Sequence, residues 1–139
     1  KIMTTTIREY IKDNCHIDYE AVIAYYESGY CNVEVDIDFE YDDEKEAGEF
    51  ETSEDYDNYY SEIDLQKELA DALIEKAEEN YQCDDDGFED MVNELYIDPC
   101  IEGAANPDTI YRYFDYDSFR RDLLMGDYFY QDGYYFLAY

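Results

Sequence analysis

Val33-Glu34-Val35-Asp36-Ile37-Asp38-Phe39-Glu40-Tyr41 alternates apolar and acidic residues without a slip. Successive side chains of an extended chain point to opposite faces. The spacing therefore predicts a half-buried strand with one apolar face and one face made wholly of carboxylates. Same-face residues on a strand repeat about every 6.4–6.8 Å, close to twice the ~3.4 Å rise per phosphate along one DNA strand. Glu34, Asp36, Asp38 and Glu40 would then stand at every second phosphate position. The run 59–65 is expected to supply a partner strand carrying Glu62 and Asp64 on the same outward face. Like charges directly opposite each other destabilise a sheet, so this pairing calls for a reason outside folding.

Outward from this segment the patterns are helical. Thr4 to Thr6 cap a short helix through Asn14, with Ile7, Tyr10 and Ile11 on one face. Asp18 opens a second, whose stripe of Ala21, Val22, Tyr25 and Tyr26 ends at Gly29. Beyond an acidic loop, residues 65–81 read as a helix. Leu65, Leu69, Ala72, Leu73 and Ala77 are expected inward, and Glu68, Asp71, Glu75, Glu78 and Glu79 on the exposed side. Asp84 to Asp86 are expected to cap a helix over 88–97, ended by Pro99. After Pro107 the acids thin out. A helix over about 116–125 leads to an aromatic hairpin with Asp132-Gly133 at its turn. The fold class expected is α+β, with small antiparallel sheets, packed amphipathic helices and an elongated acidic surface. Its division is an acidic α+β region over 1–106 and a helix plus aromatic hairpin over 107–139.

Charge gives the functional direction. Residues 17–108 hold 32 of the 39 Asp and Glu, opposed only by Lys45, Lys67 and Lys76, whereas the whole 139-residue chain carries a formal −30. Duplex DNA bears one charge per ~1.7 Å of axis, so −30 matches roughly 50 Å of duplex. A compact chain of this length is about 37 Å across. The charge densities are comparable, and such a block repels DNA while attracting what binds DNA. The 19 Tyr and 7 Phe supply apolar area that disordered acidic chains lack.

Other chemistries fit poorly. Cys15, Cys31, Cys83 and Cys100 form no CxxC pair, and His16 is the only histidine, so neither a zinc site nor acid–base catalysis by histidine pairs is expected. There is no glycine-rich phosphate loop, and carboxylate pairs can be drawn anywhere in so acidic a chain. Asp42-Asp43-Glu44 and Asp84-Asp85-Asp86-Gly87 lack the spacing of an EF-hand. No metal, cofactor or enzyme activity is expected. Without a signal-peptide pattern or a long apolar run, the chain is expected in the cytoplasm with reduced thiols, away from membranes, and Met3 is expected as its natural start.

Tyr113-Phe114-Asp115-Tyr116, a four-residue spacer, Arg121-Asp122-Leu123 and the aromatic hairpin after it resemble the end of the ArdA family of antirestriction proteins. The resemblance covers about thirty residues. It implies an acidic, elongated, usually dimeric α+β protein that imitates bent duplex DNA and inhibits Type I restriction-modification enzymes. Asp115, Tyr116, Arg121, Asp122 and Leu123 would belong to the family motif, in structural, dimer or contact roles. Residues 17–22 echo 114–119 and suggest a repeated subdomain.

The leading expectation is thus a DNA mimic that binds a DNA-handling protein of a restriction-modification system and no nucleic acid directly. The contact residues expected are Glu34, Asp36, Asp38, Glu40, Glu62, Asp64, Glu68, Asp71, Glu75 and Glu78. The alternatives are an anti-CRISPR protein blocking duplex or PAM reading by a Cas effector, and a calcium-binding or salt-adapted domain whose acidity serves solvation. Against salt adaptation, the last thirty residues hold only five acids against three arginines.

Overall fold

The computed structural model describes residues 4–138 and divides into two units, Lys1–Glu79 and Asn80–Tyr139. These compact units meet at the end of a long helix, whereas the division read from composition lies at 106/107. Met3 lies outside the described residues. The architecture is α+β with a two-stranded and a three-stranded antiparallel sheet.

In the first unit, β1 (Thr5–Thr6) runs directly into α1 (Ile7–Asn14), where Thr6 caps the helix by accepting from the Glu9 N–H. Asp18 caps α2 (Tyr19–Glu27) through the Glu20 N–H, and Gly29 beyond its end has φ +85°. Both caps match the sequence reading. Residues 33–41 do not form the expected strand. Only β2 (Glu40–Tyr41) pairs, with β1, in the register Thr5 to Tyr41 and Thr6 to Glu40.

The backbone of this segment finds its partners on helices. Its Phe39 and Ile37 carbonyls accept from the first N–H groups of α1, on Ile7 (3.0 Å) and Arg8 (2.8 Å), donors that a helix cannot satisfy internally. The Val35 carbonyl accepts from Tyr26 Oη, and the Asp36 N–H donates to Gln66 Oε1. A turn with Phe39 N–H donating to the Asp36 carbonyl breaks the extension. The alternation survives nonetheless. Val35, Ile37 and Tyr41 are buried, Val33 and Phe39 half-buried, and the four acids between them exposed.

The expected partner strand over 59–65 is helix instead. After a short 3-10 turn (Ala47–Glu49), α3 runs unbroken from Ser53 to Asn80, 28 residues or about 42 Å. No Gly or Pro interrupts it, so a locally strand-like Tyr-Tyr-Ser-Glu-Ile-Asp-Leu is carried along by its flanks. The buried face is Ile63, Ala70, Leu73, Ile74 and Ala77. Leu65 and Ala72, expected inward, are exposed, because a helix set by Ile63 rotates them outward. With the buried residues of α1, α2 and 35–41, this face makes the unit's core.

In the second unit, β3 (Tyr81–Asp84), β4 (Tyr128–Gln131) and β5 (Tyr134–Leu137) form an antiparallel sheet in the order β3-β5-β4, with a bulge in β3 between Tyr81 and Cys83. The β4–β5 turn has Asp132 at φ 50° and Gly133 at φ 96°, the two positive values that favour Asp-Gly in tight hairpins. Gly87 precedes α4 (Phe88–Val92) without a side-chain cap. Asp84 Oδ1 instead accepts from the Gly87 N–H, 2.8 Å away. Pro99 does not end this helix. A π-helical turn (Asn93–Ile97) widens the backbone and leads into α5 (Asp98–Ile101), which contains Pro99. A regular helix would drive the proline ring into the carbonyl four residues back, and the wider turn removes that clash. Then come α6 (Pro107–Tyr113) and α7 (Tyr116–Leu124). Phe88, Met91, Val92, Ile97, Tyr128 and Tyr135 are buried together, with Phe119 and Leu123 packed against them.

Candidate functional site

The first unit brings the two predicted sets of acids side by side. The chain from residue 32 to 45 runs antiparallel along α3. Lys76 Nζ donates to Asn32 Oδ1 (2.6 Å), Gln66 takes the Asp36 N–H (3.0 Å), and Lys67 Nζ lies 3.6 Å from Asp43 Oδ2. Further along, Tyr59 Oη both accepts from the Asp42 N–H and donates to its carbonyl, and Tyr60 Oη donates to the Lys45 carbonyl. The tyrosines that fasten this loop bury their rings against one another and against Phe50.

On α3, Asp57, Asp64, Glu68, Asp71, Glu75 and Glu79 are exposed at spacings of seven, four, three, four and four residues. At 100° per residue these positions fall in one stripe on the face opposite Ile63, Ala70 and Ala77. The stripe spans about 33 Å. Asp57 was missed in the sequence because the first three turns of α3 were not read as helix. Glu62 and Asp64 stay exposed, on this helix and not on a strand. Glu62 lies one turn before Gln66, on the flank that carries Asp36 and Glu34.

Not every predicted residue is free to meet a partner. Arg8 lies 3.2 Å from Asp38 and also donates to Tyr19 Oη, and these bonds raise its pKa. Asp71 accepts from Tyr10 Oη (2.9 Å). Burial first, and that bond second, push the Tyr10 hydroxyl up to about 12. Glu78 is half-buried and holds the His16 backbone N–H, with the imidazole Nδ1 3.3 Å from its carboxylate. Glu34, Glu40, Glu62, Asp64, Glu68 and Glu75 are exposed, as is Asp36, whose Oδ1 accepts from the Asp38 N–H.

The cations show why the surface is so uniformly negative. Lys45 sits 5.2 Å from the ring centres of both Phe50 and Tyr59. Lys67 is 5.1 Å from Tyr41 and 5.6 Å from Tyr10, and Lys12 is 5.9 Å from Tyr19. Each lysine is drawn onto aromatic faces, where the ring quadrupole attracts it by about 0.5–1 kcal/mol at an exposed site. Among the described residues of this unit, these three lysines, with Arg8 on Asp38 and Tyr19 and Lys76 on Asn32, are engaged within the fold.

In the second unit the motif residues do structural work. Asp115 caps α7, accepting from Ser118 N–H (3.0 Å) and Oγ (2.7 Å), and these bonds lower its pKa. Tyr116 Oη donates to Asn93 Oδ1 on the π-helical turn, and Leu123 packs on the core. Arg121 and Asp122 are exposed, while Arg120 pairs with Asp117 and lies over Phe88. Among the described residues, no group of three or more His, Cys, Asp or Glu is arranged to hold a metal ion, and no helix is long and apolar enough to cross a membrane. Compared with protein-family models, curated proteins and solved structures, the chain has no match.

Proposed function

We propose that the protein is a non-catalytic DNA mimic that occupies the DNA-binding cleft of a host defence enzyme in the cytoplasm, a Type I restriction-modification complex in the first instance. The observation that carries this reading is the α3 stripe of Asp57, Asp64, Glu68, Asp71, Glu75 and Glu79, beside a second acidic edge of Glu34, Asp36 and Glu62. Lys12, Lys45 and Lys67 are turned onto aromatic rings and Lys76 onto Asn32, so they compete little for that surface. In the complex, these carboxylates would meet the Lys and Arg side chains that otherwise contact phosphates. Each exposed pair contributes about 0–1 kcal/mol, so affinity comes from their number and from electrostatic steering.

Competition between this protein and a recognition-site duplex for a purified Type I complex tests the reading. The protein should displace the duplex, and its binding should weaken as salt rises. Neutralising Asp64, Glu68, Glu75 and Glu79 together, to Asn or Gln, should weaken binding by about 10- to 100-fold, while any one alone costs less than about fivefold. Unchanged duplex binding at saturating protein would end the proposal for this enzyme. Displacement from a Cas effector only would transfer it to the anti-CRISPR reading.

A further inference from the structure

Asp36 is held in place at its backbone and at its side chain. Its carbonyl accepts from the Phe39 N–H (3.1 Å), closing a turn over 36–39, and its Oδ1 accepts from the Asp38 N–H (3.1 Å). An aspartate that takes the amide two residues on has its side chain oriented by its own turn. Its own N–H goes to Gln66 Oε1 on α3 (3.0 Å). From the other side, α1 holds the same turn through Arg8, whose N–H donates to the Ile37 carbonyl (2.8 Å) and whose guanidinium lies 3.2 Å from Asp38 Oδ1. Two helices of one unit thus bracket the turn, with Asp36 exposed at its start. The pair with Arg8 takes up the charge of Asp38, so Asp36 carries the turn's outward negative charge.

We infer that Asp36 is a fixed anionic anchor of the binding surface and that Gln66 is its positioning residue. This rests on the DNA-mimic reading and names, within that surface, a carboxylate worth more than its neighbours. Ordering a flexible side chain at an interface costs rotamer entropy, and a carboxylate already oriented by its own turn has lost that freedom on folding. Glu34 and Glu62, on the same acidic edge, have longer side chains and incur that cost when a Lys or Arg of the target meets them. Gln66 acts through Asp36 and not on the partner. Its side-chain oxygen ties the turn to α3, and a glutamate there would accept the same N–H while a methionine would not.

The test measures binding to a purified Type I complex, by competition with a recognition-site duplex, for Asp36→Asn, Gln66→Met, Gln66→Glu, the double variant Asp36→Asn/Gln66→Met and, as control, Glu34→Gln. Asp36→Asn keeps an oxygen for the Asp38 N–H, so the turn stays while the charge goes. It should weaken binding about tenfold, and Glu34→Gln by less than about threefold. Gln66→Met should weaken binding about five- to tenfold, whereas Gln66→Glu should bind at least as well as the parent. The double variant should bind within about twofold of Asp36→Asn alone, because Gln66 has nothing left to position once the charge is gone. A merely structural role for Gln66 would instead lower affinity by the same factor with or without that charge. Thermal melts check that each variant is folded. If Gln66→Met is not, Asp36→Asn against Glu34→Gln decides. Equal losses for those two, or additive losses in the double variant, with the parent still displacing DNA, would overturn the anchor and leave the mimic standing. A parent that displaces DNA from neither a Type I complex nor a Cas effector would overturn both.

Discussion

Two tyrosines with similar pKa values make opposite contributions to the fold. Tyr10 donates to Asp71 at 2.9 Å, whereas Tyr135 Oη is buried among the described residues without a hydrogen-bond partner. A buried unpaired hydroxyl costs about 1–3 kcal/mol. Tyr135→Phe should therefore raise stability by about 1 kcal/mol, and Tyr10→Phe should lower it by about 0.5–1 kcal/mol, both read from urea denaturation midpoints. A destabilised Tyr135→Phe would show that the hydroxyl has a partner. Burial pushes both phenols up to about 12, above the ordinary 10.0 of the unfolded chain. Stability carries no dependence on these two groups below pH 10, where both states are protonated. Stability falls between pH 10 and 12, where the unfolded state releases its protons first. A stability that holds level from pH 10 to 12 would contradict this sign.

The helix α3 is where the sequence was least transparent, and the reason can be tested. Ile63→Ala should cost about 2–4 kcal/mol as a core truncation, while Leu65→Ala, two positions away, should change stability by less than about 0.5 kcal/mol. Equal costs would restore the inward face that the leucines suggest. Leu73 and Ala77 were legible as inward and are buried, but from the residues alone Leu65 and Leu69 outrank Ala70 as core candidates, and it is Ala70 that is buried. Residues 59–65 misled for a related reason, since aromatic and β-branched residues suit either state and helical flanks on both sides decide. The segment 33–41 was legible in its exposure and not in its hydrogen bonding. Alternate residues are buried in any extended chain, but whether its backbone meets a strand or a helix terminus is a long-range choice. Local signals fared better: the Thr6 and Asp18 caps, the Asp132-Gly133 turn and the span of α7 each rest on a few adjacent residues. The acids of the candidate surface were legible as exposed, yet the pairing of Asp38 with Arg8 and of Asp71 with Tyr10 needed tertiary structure.

At the scale of the whole molecule the formal −30 is an unfavourable term in folding. The first unit holds 25 acids and six cations, the second 14 acids and three cations, so both are strongly negative. Neither can neutralise itself, and compaction brings these charges closer than the unfolded chain does. Screening acts on this repulsion directly, because the Debye length falls from about 10 Å at 0.1 M salt to about 3 Å at 1 M. The melting temperature at pH 7 should therefore rise with added NaCl. A relief of about 1–2 kcal/mol corresponds to roughly 4–12 °C for domains of this size. The same salt that stabilises the fold should weaken its complex with a basic cleft, so the two curves should run in opposite directions over one concentration range. Parallel curves would place the acidic surface outside the binding interface. A salt-adapted domain would need molar salt to fold at all, and a calcium-binding one would gain stability that saturates at low calcium with NaCl held constant. For a mimic, CaCl2 and NaCl should act through screening alone, with no saturating step on the calcium titration. Such a step, read by calorimetry in 0.15 M NaCl, would assign the carboxylates to a metal and remove the reason to seek a DNA-handling partner.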